Sequence, residues 1–221
     1  MKSNFDVAVI GGGPCGAIAA ERLARSGHSV VLVDPDNKIK PCGGAIPSRA
    51  LKDFEISEDL LVARANAARV IAPSGNAVEM RIGDIGFVGM VDRETFDPYL
   101  RARAEQAGAR FVRGKLAGMD TASNGSLDLK VDGTDPENPG TTEHLNARMV
   151  IGADGANSAV RRLMFPAKKK PPYVFAYHEI VESPEAPDPD AFQRDRCDVV
   201  YDGRISPDFY GWVFPHGGQT S

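Results

Sequence analysis

Apolar residues gather first at positions 5–10 (FDVAVI), a short run that reads as a buried strand. Gly11, Gly12, Gly13 and Gly16 follow it. From Ala17 to Ser26 small and apolar residues share the helical period with charged ones, and Gly27 suits the position just past a helix end. A second apolar run spans 29–33 and stops at Asp34, so the opening stretch predicts a compact β–α–β unit. Residues 41–47 are rich in Gly and Pro and read as a loop. A weaker amphipathic stretch runs from Ser48 to about Leu61.

Residues 67–91 alternate as antiparallel strands do, with a turn at 73–76 (PSGN). Phe96, Leu100 and Ala104 recur at helical spacing and predict a helix from Arg93 to Ala107, with Asp92 as its N-cap and Gly108 beyond its end. Runs at 111–112, 127–131 and 149–151 predict further strands, separated by a turn at 123–125 and a solvated hairpin excursion at 132–142. Short strands with polar linkers resume at Val174, notably around 182–190. The last residues, 214–221, read as the middle of a strand–loop unit, so a fragment is expected. The expected class is α/β. A Rossmann-like domain would occupy 1–165, with β-hairpins inserted at roughly 60–92 and 108–150. The truncated start of an antiparallel β-sheet domain would occupy 166–221.

Composition removes several alternatives. With 221 residues, 42% of them hydrophobic, the chain can bury a substantial core. Its formal net charge of −4 argues against nucleic acid as a partner. No run reaches the roughly 18–20 apolar residues of a membrane-spanning helix, and no leader is expected before the first strand. Cys15, Cys42 and Cys197 are odd in number and far apart, which fits a reducing, cytoplasmic setting and gives no metal site.

Gly11, Gly13 and Gly16 form a dinucleotide fingerprint in full strand–turn–helix context, with an acidic residue, Asp34, ending the next strand. Gly11 would permit the tight turn, Gly13 the approach of a pyrophosphate, and Gly16 close packing of the helix on the sheet. The helix N-terminus offers free N–H groups to the phosphates. Cys15 reads as a small filler in this turn and is counted with the cofactor-binding residues. Asp34 would accept hydrogen bonds from ribose hydroxyls and would repel a 2′-phosphate, so NADP is not expected in this particular site. The fingerprint alone does not choose between FAD and NAD.

Residues 150–161 (VIGADGANSAVR) resemble the Asp-Gly motif of flavoproteins of the aromatic-hydroxylase type. The resemblance implies that Asp154 and Gly155 meet FAD and that Arg161 anchors the next turn or meets phosphate. Arg93, in 91–100 (VDRETFDPYL), matches the same flavoproteins, where such an arginine reaches the pyrophosphate or ribityl region. Two further strings, 40–47 (KPCGGAIP) and 206–215 (SPDFYGWVFP), together with 86–91 (GFVGMV), resemble geranylgeranyl reductases over essentially the whole chain. More narrowly, they are similar to the enzymes that saturate the geranylgeranyl tail of chlorophyll and bacteriochlorophyll. The resemblance implies FAD and NADPH as cofactors and a prenyl-chain substrate. It adds Gly44, Ala45 and Leu116 to the cofactor-binding set, and makes Tyr210, Trp212 and Phe214 a lipid-binding motif. It also implies peripheral contact with a photosynthetic membrane. A later Gly-Asp segment of the flavin fold does not occur in these residues, so weak FAD binding by them alone is expected.

Alternation of Tyr210, Trp212 and Phe214 places three aromatics on one face of a strand. By periodicity alone such a face is ordinary core packing; against an isoprenoid chain it is a binding wall. Cys42 is the distinctive candidate for a proton donor, since a free thiol is protonated at neutral pH; the other reading is that it shapes a Gly-rich loop. Cys197 reads as a plain strand residue. Lys168, Lys169 and Lys170 fit either a solvated loop or a contact with anionic lipid or diphosphate. His178 and His216 are isolated in the sequence and receive no role.

Overall fold

The computed structural model describes residues 3–36, 40, 42–169, 171–186, 188, 191–217 and 219–220. Pro41, Lys170, Gly218 and Ser221 lie outside the described residues, and so do the expectations that rest on them. Along the chain run β1 (Ser3–Ile10), α1 (Pro14–Arg25), β2 (Val30–Asp34), β3 (Ala45–Pro47), α2 (Ser48–Asp53), β4 (Leu61–Ala65), β5 (Ala67–Ile71) and β6 (Ala77–Arg81). Then come β7 (Val88–Val91), α3 (Arg93–Gln106), β8 (Arg110–Thr121), β9 (Leu127–Gly133), β10 (Thr142–Gly152) and α4 (Ala159–Met164). Short strands complete the order: β11 (Val181–Glu182), β12 (Arg196–Val200), β13 (Gly211–Val213), β14 (Pro215–His216) and β15 (Gln219–Thr220).

The chain divides into two compact units, one of Met1–Ile39 with Asp97–Pro171 and one of Lys40–Phe96 with Pro172–Ser221. In the first unit β8, β2, β1 and β10 run parallel, and β9 pairs antiparallel with β10 and β8 to close a five-stranded barrel. The apolar runs seen in the sequence are continuous because both faces of β1 and β2 are covered. Ala8, Ile10, Val31 and Val33 point into the barrel with Leu129, Val131 and Leu145. Val7, Val9, Val30 and Leu32 point the other way, against Ala20 of α1, Ala104 of α3 and Ala109. Each fully buried Val or Leu contributes about 1.5–3 kcal/mol to this core. Glu21 of α1 is 2% exposed and pairs with Arg103 of α3 at 2.7 Å.

Local signals act as expected at the helix ends. Pro14 opens α1, and Gly27 follows it with φ +84°. Asp92 caps α3: its Oδ1 accepts from the Glu94 N–H at 2.9 Å and its carbonyl oxygen from the Phe96 N–H at 2.8 Å.

The second unit contains a sheet ordered β13-β12-β5-β6, a sheet ordered β3-β7-β4, and a small sheet ordered β11-β15-β14. Ala65, Met90 and Cys197 form a core with Ala63, Val88 and Phe214 packed against it. Three readings change here. The loop read at 41–47 ends in a strand, since β3 pairs with β7. The amphipathic stretch read from Ser48 stops being helical at Asp53, and Leu61 already belongs to β4. The sheet read as antiparallel contains one parallel pair, β12 beside β5. That pair also puts part of the 60–92 segment in one sheet with residues from 166–221, where a boundary at 165 separates them. Local periodicity shows a hairpin's nearest partner, and β6 is that partner; the other edge of β5 is filled from far along the chain.

Candidate functional site: a dinucleotide cradle and an aromatic pocket

In the first unit β2 lies on one side of β1 and β10 on the other, which makes the crevice at the carboxyl ends of β1 and β10 the switch point of the sheet. The Gly11 N–H donates to the Val33 carbonyl at 2.8 Å and the Ala153 N–H to that of Ile10 at 2.7 Å, knitting the three strand ends together. Gly11 has φ +104°, and a Cβ there would stand 2.3 Å from the Ala153 carbonyl oxygen, so the turn requires glycine. A Cβ at Gly16 would stand 1.8 Å from the Gly11 carbonyl oxygen; α1 approaches the turn this closely only because the position is bare. Gly13 is the extended N-cap of α1 and supplies no side-chain cap, which leaves the first-turn N–H groups for an anion.

Asp34 does more than close β2. Its Oδ2 accepts from the Gly12 N–H at 2.6 Å and its Oδ1 from the Asp36 N–H at 2.8 Å. The carboxylate therefore pins the glycine turn, and each oxygen keeps a second lone pair for a ribose hydroxyl. Arg101 of α3, unassigned from sequence, stands behind the same turn. Its Nη1 donates to the Gly12 carbonyl at 3.3 Å, and its Nη2 pairs with Asp36. Arg113 Nη2 reaches the other Asp36 oxygen at 2.9 Å. The signal for Arg101 was its place between Leu100 and Ala104, on the buried side of a helix where an arginine needs partners.

After β10, Asp154 Oδ2 accepts from the Ala159 and Val160 N–H groups at 2.5 and 3.1 Å. Its Oδ1 is buried without a hydrogen-bond partner. A buried carboxylate oxygen in that state is costly unless a ligand donor meets it. Gly155 follows with φ +77°. Ser158 caps α4 by accepting from the Arg161 N–H at 2.9 Å, while the Arg161 Nε is buried without a partner. The bare glycine cradle, the open helix N-terminus and the orphaned Asp154 oxygen fit a dinucleotide that carries a pyrophosphate and ribose or ribityl hydroxyls.

Two expected residues sit differently. Cys15 is exposed at the start of α1 rather than filling the turn. Leu116 is 9% exposed and packs into the barrel interior with Ile10 and Val33, because its position on β8 points inward. Any part it has in holding a cofactor falls to its main chain.

In the second unit the aromatic alternation is realised. Ring centroids lie 6.3 Å apart for Tyr210 and Trp212 and 6.5 Å apart for Trp212 and Phe214, with β13 between. Phe209 stacks on Tyr210 at 4.0 Å, and His178 on Trp212 at 6.2 Å with planes 16° apart. His178, Phe209, Tyr210 and Trp212 line a cavity of about 450 Å³ with Phe175, Tyr177 and Ile205, while Phe214 packs against the core of Ala65, Met90 and Cys197. The loop of Cys42, Gly43 and Gly44 lies on the same strand. A Cβ at Gly43 would stand 2.8 Å from Phe214 Cδ2 and 3.2 Å from Trp212 Nε1. Gly44, at φ +70°, accepts from the Val91 N–H at 3.0 Å, which ties the loop to β7 beside Ala45. Cys42 is exposed. Arg93 opens α3 directly after the Asp92 cap.

His216 is the second residue that the sequence left unassigned. Its Nε2 is buried without a partner and stands 3.1 Å from where a Cβ on Gly44 would be. Burial pushes its pKa down; the nearby charge of Asp92 and the backbone of Gly43 pull the other way, and His178 adds to the lowering. No local pattern marks such a residue, since the contact joins segments far apart in the chain. Among the described residues no cluster of His, Cys, Asp or Glu could hold a metal ion.

A glycine turn at a parallel-sheet switch point, an open helix N-terminus and an Asp-Gly loop opposite define the dinucleotide-binding class of α/β protein. Residues 5–188 match the pyridine nucleotide-disulphide oxidoreductase family, and the chain belongs to it. Over 99% of its length it is 49% identical to the geranylgeranyl diphosphate reductase of Rhodobacter capsulatus, covering 54% of that protein. The chloroplastic geranylgeranyl diphosphate reductase of Oryza sativa is 37% identical over 95% of the chain and 46% of the relative. Digeranylgeranylglycerophospholipid reductase 1 of Methanococcoides burtonii is 30% identical over the whole chain and 54% of the relative. The chain thus spans about half the length of the curated relatives it matches. The solved structure of a geranylgeranyl bacteriochlorophyll reductase-like protein from Thermoplasma acidophilum superposes with a TM-score of 0.78 at 24% identity, over 100% of this chain and 56% of that one. The fold is the Rossmann-like fold of FAD-dependent flavoproteins.

Proposed function

We propose that the chain supplies the FAD- and prenyl-binding parts of an NADPH-dependent reductase that saturates the geranylgeranyl tail of (bacterio)chlorophyll, or of geranylgeranyl diphosphate, to phytyl. The observation that carries this reading is the aromatic strand: Tyr210 and Trp212 line a cavity of about 450 Å³, and Trp212 and Phe214 stand against Gly43 of the Cys42 loop. An isoprenoid chain offers only apolar area for recognition, and aromatic walls bury such area without needing polar partners. The reductase relative at 49% identity supports the same substrate class.

In this reading the turn of Gly11 to Gly16 and the N-terminus of α1 hold the cofactor's pyrophosphate, and Asp34 and Asp154 accept from its hydroxyls. The resemblance to these reductases assigns Arg93 to cofactor binding as well. Bound FAD, once reduced by NADPH, supplies the hydride for each double bond. The aromatic face orients the alkene and keeps water away. Cys42 holds the proton at Sγ and delivers it to the less substituted carbon, so one hydride and one proton saturate each bond. Peripheral contact with a photosynthetic membrane belongs to the same reading, since the substrate is greasy; among the described residues no helix is long and apolar enough to cross a membrane.

The test is NADPH-dependent reduction by the full-length protein, followed by mass spectrometry of the prenyl substrate. We expect successive gains of two hydrogens, three in all from geranylgeranyl to phytyl. Oxygen-dependent hydroxylation instead would identify a monooxygenase, and no turnover with bound FAD a non-catalytic flavin module. The archaeal relative supports a second reading, saturation of membrane isoprenoid lipids. Reduction of those lipids with geranylgeranylated pigment and diphosphate left untouched would select it.

A further inference from the structure

In a chain of net charge −4, no acidic residue lies between Asp154 and Glu179, and five cations do: Arg161, Arg162, Lys168, Lys169 and Lys170. Directly after Arg162 come Leu163, Met164 and Phe165, which are 39%, 48% and 54% exposed. Single exposed apolar side chains are ordinary on a protein surface. Three in succession, bracketed by cations and free of acidic neighbours in the sequence, have the composition of a lipid-facing segment.

The first unit holds this segment on a fixed mount. Ser158 caps α4 by accepting from the Arg161 N–H at 2.9 Å, and Ala159 and Val160 pack against the barrel core. The start of α4 is thus turned inward, while Leu163 and Met164 remain exposed near its end. There the Phe165 N–H donates to the Arg161 carbonyl at 2.9 Å, and the Lys168 N–H to the Phe165 carbonyl at 3.1 Å. The second bond closes a turn, which brings the Lys168 backbone within about 7 Å of that of Phe165. Arg162 donates to the Asn157 carbonyl, so its charge is kept beside the same helix. Lys168 and Lys169 are exposed. A lysine stem lies along apolar surface while its ammonium group stays at the level of lipid headgroups.

We propose that Leu163, Met164 and Phe165, with Arg162, Lys168 and Lys169 around them, are the surface by which the protein docks on an anionic lipid bilayer. This rests on the reductase reading, whose prenyl substrate partitions into membrane. Charge complementarity selects the occupant: the cations meet lipid phosphates while the apolar side chains enter below the headgroups. A soluble diphosphate would meet the same cations but would leave the three apolar side chains in water.

The test is co-sedimentation of the full-length protein with phosphatidylcholine vesicles, with and without about 30% phosphatidylglycerol. The natural protein should bind the anionic vesicles and release them as salt rises. K168Q/K169Q should bind about ten-fold or more weakly, since each cation near such a surface is worth about five-fold. M164S/F165S should weaken binding by about ten-fold while keeping the salt dependence. Both variants should keep the thermal midpoint and the flavin affinity of the natural protein. Natural-level binding by either variant overturns the proposal, and so does failure of the natural protein to bind anionic vesicles at low salt. Inorganic diphosphate is the second probe. If K168Q/K169Q loses affinity for it yet sediments with vesicles as the natural protein does, the cations serve a soluble anion and the proposal is overturned. If the protein docks on vesicles but reduces no prenyl chain, the reductase reading fails and the docking surface stands.

Discussion

The three cysteines occupy three different environments. Cys197 is 6% exposed on β12, and burial, with the charge of Asp198 beside it, pushes its thiol up to about 12. Cys15 and Cys42 are exposed. The thiolate is the nucleophile, so a thiol pushed that high stays protonated and unreactive while the core is closed. An alkylating reagent at about pH 8 should label Cys15 and Cys42 in the folded protein and Cys197 only after denaturant is added. Peptide mass spectrometry reads this directly, and fast native labelling of Cys197 would contradict its place in the core. Of the residues given a role, Gly11, Gly16 and Tyr210 were legible because their requirement is local: a turn, a close approach, an alternation. Arg101 was not, since it acts on a segment reached only through the tertiary fold.

At the scale of elements, the glycine turn and α1 form one device, and bulk at Gly16 separates its parts. G16A puts a methyl group where the Gly11 carbonyl oxygen stands, so α1 must shift away from the strand ends. Flavin affinity of the full-length protein should drop by about ten-fold or more, in keeping with loss of one well-placed anion contact; fluorescence titration measures it, and unchanged affinity would place the cofactor elsewhere. The pairing of β5 with β12 has a charged counterpart. Asp198 accepts from Arg196 Nε at 2.7 Å and pairs with Arg69 at 2.5 Å, and Arg196 is 1% exposed at its side chain. The hydrogen bonds to Asp198 raise the pKa of Arg196 further, so the guanidinium stays charged in the core. D198A takes the carboxylate at 2.7 Å from that cation, whereas Glu79 stands at 3.3 Å. A buried charge stripped of its main partner costs about 3–5 kcal/mol, which a urea melt of the second unit's transition should show. A loss below about 1 kcal/mol would mean that the network is solvated.

At the scale of the whole molecule, the β–α–β opening was readable because its strands, turn and helix are contiguous, and the capped α3 for the same reason. The division into units was harder to read. Each unit is assembled from two stretches of chain, and the strands that join the stretches, β10 beside β1 and β12 beside β5, pair across long separations. This interleaving has a consequence during synthesis. The inner edge of β1 waits for β10, whose first residue is Thr142, and β5 waits for β12, which begins at Arg196. At about 5–20 residues per second a ribosome leaves those apolar strands with an unpaired edge for on the order of ten seconds. A nascent chain in that state invites edge-to-edge association. The protein's demand on chaperones is thus set by the order in which its strands emerge, before any cofactor or substrate is involved.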